Sequence, residues 1–191
     1  MDARIPSVVA VVGSPRRRSN TAALVAAALA ELEAAGAACE TIALGSLTIA
    51  PCLAHDTCAD LAACPHGDDA AAVLDRVYAA DCLVLGTPVY YENVSAQMKT
   101  FIDRNVFRYS HEEWLRARVV GLVAVTAETG LQDALDALRR YVDLSTDGDV
   151  PMLTCGAYAD EAGAAAGDQA LLAEARALGR ALAEELGLTP A

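Results

Sequence analysis

Aromatic side chains are scarce in this chain of 191 residues: they make up 5% of it, with one tryptophan and two phenylalanines. A core must therefore be filled by aliphatic side chains, and the alanine-rich segments predict numerous, closely packed helices. Basic residues are also in deficit. Fourteen Lys and Arg stand against 26 Asp and Glu, a formal net charge of −12. That balance speaks against nucleic acid and anionic membranes as partners, because phosphate polyanions attract basic surfaces. No stretch approaches the ~20 continuous apolar residues of a bilayer span. The N-terminus has one arginine, a very short apolar run and no small-residue cleavage pattern, so no export signal is expected. The expectation is a cytoplasmic protein, in which the six cysteines are thiols or ligands rather than disulfides. Two phosphate-binding motifs are missing as well. Without G-x-x-x-x-G-K the nucleotide triphosphate cradle is excluded, and without G-x-G-x-x-G a dinucleotide site is disfavoured.

What is present alternates. Val8 to Val12 is β-branched and uncharged, the pattern of a buried parallel strand. The next segment is helical, capped by Asn20 or Thr21, with Leu24, Ala28 and Leu32 on one face and Gly36 as its stop. Cys39 to Leu44 is a weaker strand. Residues 45–67 carry turn formers, cysteines and histidines without a regular period. Asp68-Asp69 opens a helix at its positive end, with Val73 and Val77 turned inward. Cys82 to Gly86 is a second buried strand, followed by the loop TPVYYENVS. Ser95 caps a helix in which Met98, Phe101 and Ile102 point inward and Lys99 pairs with Asp103. Val119 to Val125 is a strand, Leu131 to Val142 a helix, Met152 to Cys155 a last strand and Gln169 to Leu186 a last helix. Strands alternating with helices predict a single α/β domain over residues 1–191, a doubly wound five-stranded parallel sheet with helices on both faces and a cysteine-rich excursion at about 50–67.

Two loops draw the chemistry together. In GSPRRRSNT a strand end, a glycine-containing turn and a helix N-terminus form a ready anion site, where free amides and the helix dipole add partial positive charge. Ser14, Ser19 and Thr21 offer hydroxyls, Asn20 an amide and Arg16 a charged fork. The alternative is a solvated loop with a good helix cap. In TPVYYENVS, Tyr90 and Tyr91 stand beside Pro88 and Val89 at the carboxyl end of a strand, where doubly wound sheets bind ligands. A phosphate at the first loop and a flat ring against the second make a flavin mononucleotide geometry. The alternative places one tyrosine in the core and leaves the other incidental.

GSPRRRSNTAAL, CLAHDTCADLAACPHGDD and GTPVYYENVSAQMKTFIDR together resemble the NADPH-dependent FMN reductase and iron-sulfur flavoprotein family, in register over nearly the first 110 residues. ARALGRALAEEL resembles the family's closing helix. The resemblance implies a flavodoxin-like fold, non-covalent FMN, and a homodimer or homotetramer. It places phosphate contacts on Ser14, Arg16, Ser19, Asn20 and Thr21. Ring and ribityl contacts fall on Pro88, Val89, Tyr90, Tyr91 and Asn93, and Glu128, Thr129 and Gly130 approach the ring edge. Leu53 and Leu61, outside any regular core, fit an oligomer surface.

Cys52, His55, Cys58 and Cys64 follow C-x2-H-x2-C-x5-C. The family's iron-sulfur flavoproteins resemble this run with cysteine at the second position, where it holds a [4Fe–4S] cluster. Histidine replaces cysteine in some clusters, zinc accepts Cys3His, and the remaining alternative is a metal-free relic. Cys39, Cys82 and Cys155 fall in strands and read as small core residues.

The expected activity is an NAD(P)H-dependent reduction of flavin, quinone or a similar aromatic small molecule, with Tyr91 or His111 as proton donor, His111 also reading as an ordinary surface residue. Two alternatives stand beside it. One is an FMN dehydrogenase, with or without a cluster, oxidising a small metabolite such as a cyclohexadiene acid. The other is a flavodoxin-type electron carrier, whose usual dense acidic ring this chain lacks.

Overall fold

Period-2 alternation in the strands decides the architecture of the computed structural model, which describes residues 4–188. The ends of the expected domain, residues 1–3 and 189–191, lie outside the described residues. In β1 (Ser7–Val12), Val8, Ala10 and Val12 face one way, while Val9 and Val11 face the other. In β3 (Cys82–Tyr90), Cys82 and Val84 join the first set and Leu83 and Leu85 the second. A sheet apolar on both faces must be covered on both. α1 (Asn20–Ala34) and the closing helix α6 (Gln169–Glu185) cover the first face through Leu24, Ala28, Leu32, Leu178 and Leu182. α2 (Ala70–Ala79), α3 (Ala96–Arg104) and α5 (Leu131–Ser145) cover the second through Val73, Val77, Met98, Phe101, Leu135 and Leu138. Each fully buried leucine contributes roughly 2–3 kcal/mol.

The parallel strands run in the order β2-β1-β3-β5-β6, with β2 over Ala38–Ala43, β5 over Val119–Thr126 and β6 over Met152–Tyr158. The two-residue strand β4 (Asn93–Val94) pairs antiparallel with the end of β3, and α4 (Val106–Ser110) follows α3 after Asn105. The chain leaves β1 for β2 on one side and returns to β3 on the other, so the strand order reverses between β1 and β3. That reversal opens a crevice at the carboxyl ends of these strands. α1 and α6 approach so closely that a Cβ on Gly179 would run into the backbone carbonyl of Ala28.

Three local expectations change. Ser19, not Asn20 or Thr21, is the α1 cap: its extended backbone lets Oγ accept from the Ala22 amide. TPVY continues β3 rather than forming a loop, because Val89 and Tyr90 pair with Val94 and Asn93. The last strand runs on to Tyr158, where it pairs with Thr126. No helix among the described residues is long and apolar enough to cross a membrane.

Candidate functional site

Four strand ends meet at one cleft of about 460 Å³, its mouth included, lined by Ser14, Arg16, Ser19, Asn20, Thr21, Pro88, Val89 and Tyr90. These eight come from the two loops singled out in the sequence. Val125 and Thr126 at the end of β5, Ala127 just after it, and Ala159 and Asp160 after β6 complete the wall. Nothing in their local sequence marks them; the parallel register does, since it brings every strand's carboxyl end to the same edge.

The first loop is pinned from below. The Gly13 amide donates to the Gly86 carbonyl at 2.7 Å. Ser95 Oγ donates to the Gly13 carbonyl at 2.6 Å and accepts from the Met98 amide at 3.2 Å, and the Ser95 amide donates to Thr87 Oγ1 at 3.0 Å. One fully buried serine therefore caps α3 and ties the β1 loop to β3. The sequence marks Ser95 as a cap and gives no sign of the second task. Above it, the first-turn amides of α1 at Asn20 and Thr21 have no intrahelical acceptor, so they remain to bind an anion. Ser14 is buried, and Arg16 is exposed with its guanidinium 5.9 Å from the Tyr90 ring centroid.

Asn20 has a different task from the expected one. Its Nδ2 donates to the carbonyls of Glu161 (2.8 Å) and Ala159 (3.5 Å), and its Oδ1 accepts from the Ala165 amide (3.1 Å). The side chain fixes the loop after β6 against α1 and has no donor left for a ligand.

Tyr91, Asn93, Glu128, Thr129 and Gly130 lie outside the cleft lining. Tyr91 is fully exposed, and Asn93 Oδ1 accepts from the neighbouring Val94 amide. Glu128 donates its amide to Thr126 Oγ1, while Thr129 Oγ1 donates to Glu92. Gly130, at φ +76, is passed so closely by the Glu92 backbone that a Cβ would stand 2.5 Å from the Glu92 Cα. The β5–α5 loop thus holds the β3–β4 hairpin.

Cys52, His55, Cys58 and Cys64 are not brought together: among the described residues no three His, Cys, Asp or Glu side chains converge on a metal-sized site. An ion pair that sequence reading missed engages one of the four instead. Arg104, its side chain only 3% exposed, donates from Nη1 to Asp68 Oδ2 (2.6 Å) and to the Ala50 carbonyl (2.9 Å). Its Nη2 donates to Cys64 Sγ at 3.3 Å. Cys52 Sγ accepts from the Ala54 amide, and Cys58 is buried apart. This donor set does not fit a cluster or a zinc ion. Burial alone would raise the Asp68 carboxyl, but hydrogen bonds from Arg104 and from the Ala50 and Ala70 amides, with the guanidinium charge, hold it at about 2. His111, considered as a proton donor, lies at this excursion and not at the cleft: its ring nitrogens face the carbonyls of Phe107 (2.7 Å) and Leu61 (3.0 Å). Burial pushes the strand thiols up, Cys39 and Cys155 to about 11 and Cys82 to about 12; Cys82 and Cys155 are core side chains, as expected, whereas Cys39 is only half-buried against the core.

Known proteins share both the sequence and the fold. An iron-sulfur flavoprotein of Archaeoglobus fulgidus is 38% identical over 122 residues, 64% of this chain and 55% of that protein. One from Methanocaldococcus jannaschii is 38% identical over 121 residues, 63% of this chain and 62% of that protein. The chain thus spans between about half and three fifths of the curated relatives it matches. Among solved structures, an apo NADH:FMN oxidoreductase superposes with a TM-score of 0.68 at 20% identity, covering 97% of this chain and 91% of that one. An archaeal flavodoxin superposes with a TM-score of 0.59 at 14% identity, covering 95% and 99%. At such identities the likeness is one of fold, and the fold is flavodoxin-like. The profile of the NADPH-dependent FMN reductase family matches residues 6–159, and the chain belongs to that family.

Proposed function

We propose that this chain is an FMN-dependent oxidoreductase that reduces a flavin, quinone or similar aromatic small molecule at the expense of NAD(P)H. The observation that carries the reading is the cleft at the strand-order reversal, where the α1 N-terminus, two serines and Arg16 stand on one side and Val89 and Tyr90 on the other. Bound there, FMN supplies the hydride chemistry, and the protein supplies position and shelter.

Each side chain has a part consistent with that division. The α1 amides, Ser14, Ser19 and Thr21 hold the terminal phosphate. Ser19 keeps its hydroxyl proton free because the cap uses only its lone pair. Arg16 neutralises phosphate charge on a molecule that is otherwise acidic. Pro88, Val89 and Tyr90 provide a flat apolar wall for a ring. The side chains of Ser95 and Asn20 touch no ligand in this reading; they set the height of the β1 loop and the position of the loop after β6.

The relatives named iron-sulfur flavoproteins carry a second cofactor in their name. In this chain, the Arg104 donation to Cys64 and the dispersal of the other three donors favour a flavin acting alone. The test is a visible spectrum of protein purified without oxygen, joined to a turnover assay with NADPH and a quinone. Flavin bands, no iron or acid-labile sulfide, and quinone-dependent NADPH oxidation are expected. Stoichiometric iron and sulfide would overturn the flavin-only reading, and absence of turnover would overturn the reductase reading.

A further inference from the structure

The β3–β4 connection has only two residues, Tyr91 and Glu92, between the paired Tyr90 and Asn93. Both have positive φ, 48° and 62°. Such connections favour Asn-Gly, whose residues adopt that backbone with little strain. Here the left-handed positions hold a tyrosine and a glutamate, and non-glycine residues in that region cost energy and gather where a function needs them. The hairpin is not loose. Thr129 donates to the Glu92 carboxylate, and Gly130, lacking a Cβ, lets the Glu92 backbone close in. Glu92 thereby explains itself as an anchor. Tyr91 does not: its ring is fully exposed, yet it is presented from a fixed tip directly after Tyr90, which lines the cleft.

We propose that Tyr91 is a specificity-determining residue on the acceptor side of the cleft, a stacking platform for planar aromatic acceptors rather than a wall of the cofactor site. The inference rests on the reductase reading given above and assigns a residue that selects its aromatic acceptors. A solvated ring on a hairpin tip anchored through Glu92, next in sequence to a cleft-lining tyrosine, gains apolar contact only when a second flat ring arrives. Offset aromatic stacking discriminates between a ring and an equally reducible acceptor that has none.

The experiment uses the whole flavin-loaded protein with saturating NADPH and two acceptors, menadione and ferricyanide, in wild type, Tyr91→Ala and Tyr91→Phe. Tyr91→Ala is expected to lower the ratio of kcat/KM for menadione over ferricyanide by about 2- to 12-fold, chiefly through the menadione KM, and Tyr91→Phe to restore it. The FMN Kd, followed by fluorescence quenching, is expected to stay within about twofold of wild type. An unchanged acceptor ratio in Tyr91→Ala would overturn the proposal while leaving the reductase reading intact. A tenfold or larger loss of FMN affinity would also overturn it, by making Tyr91 part of the cofactor site, as would a change in sedimentation mass, which would make it an interface residue. A wild type without menadione turnover would overturn both readings together.

Discussion

Arg16 and Ser95 act on the same loop from opposite sides, one exposed above it and one buried beneath it. The Arg16 guanidinium lies within reach of the Tyr90 ring and beside the free α1 amides, where a phosphate would complete its charge. Removing a charge-assisted bond of this type is worth about 1.5–3 kcal/mol. Arg16→Ala should therefore raise the FMN Kd by about 10- to 150-fold, with thermal stability little changed because the residue is exposed; fluorescence titration and a melting curve check both. Ser95 should give the reverse pattern. Its hydroxyl both donates and accepts inside the core, so Ser95→Ala strands the Gly13 carbonyl and the Met98 amide. A stability loss of about 1–3 kcal/mol in urea denaturation is expected, accompanied by weaker FMN binding as the β1 loop loosens.

At the scale of elements, the excursion at 50–67 is held to α3 by one buried ion pair. Its folded-state logic has a definite pH sign. The Asp68 carboxyl sits at about 2 in the folded chain, below its unfolded value near 4. Its contribution is therefore complete above pH ~4 and is lost as pH falls through about 2. That contribution is on the order of 2 kcal/mol. Asp68→Asn should lower stability at pH 7 by about that amount and flatten the loss between pH 4 and 2, as urea midpoints at the two pH values would show. Asp81, lowered by Ser7, Arg4 and Arg118 against the effect of its burial, adds acid sensitivity of the same sign that Asp68→Asn would leave in place. Arg104→Met should cost about 3–5 kcal/mol, because it leaves a buried carboxylate unpaired.

Across the whole molecule, the parts legible in the sequence are those written with a local period. The strand at Val8 to Val12, the Leu24/Ala28/Leu32 face, the Lys99–Asp103 pair (2.5 Å in the fold) and the two loops at β1 and β3 are all read within a few residues of one another. What escaped is set by distant partners. Arg104 meets Asp68 across 36 positions, and as an arginine in a last helical turn it reads like an ordinary solvated end. Asn93 and Val94 become a strand only because β3 overruns the sheet, and the Tyr91-Glu92 turn before them carries no glycine to announce it. Ala159 and Asp160 join the cleft through the register of β5 with β6, which no local pattern encodes. The homodimer or homotetramer implied by the resemblance also belongs to this scale. Leu53, Tyr109 and Leu144 are all more than half exposed, and a stable oligomer should bury such groups. Sedimentation is expected to give a species heavier than the 19.8 kDa chain; a monomer at micromolar concentration would remove that expectation.

The central claim is that the cleft at the ends of β1 and β3 holds a flavin that ends in a single phosphate, and the most direct test is to identify what the protein carries. Heat-released cofactor from the purified protein, separated by chromatography against authentic standards, should be FMN at close to one per chain, and the Arg16→Ala protein should release less of it. Recovery of FAD, or of a colourless protein that takes up no added FMN, would contradict the account.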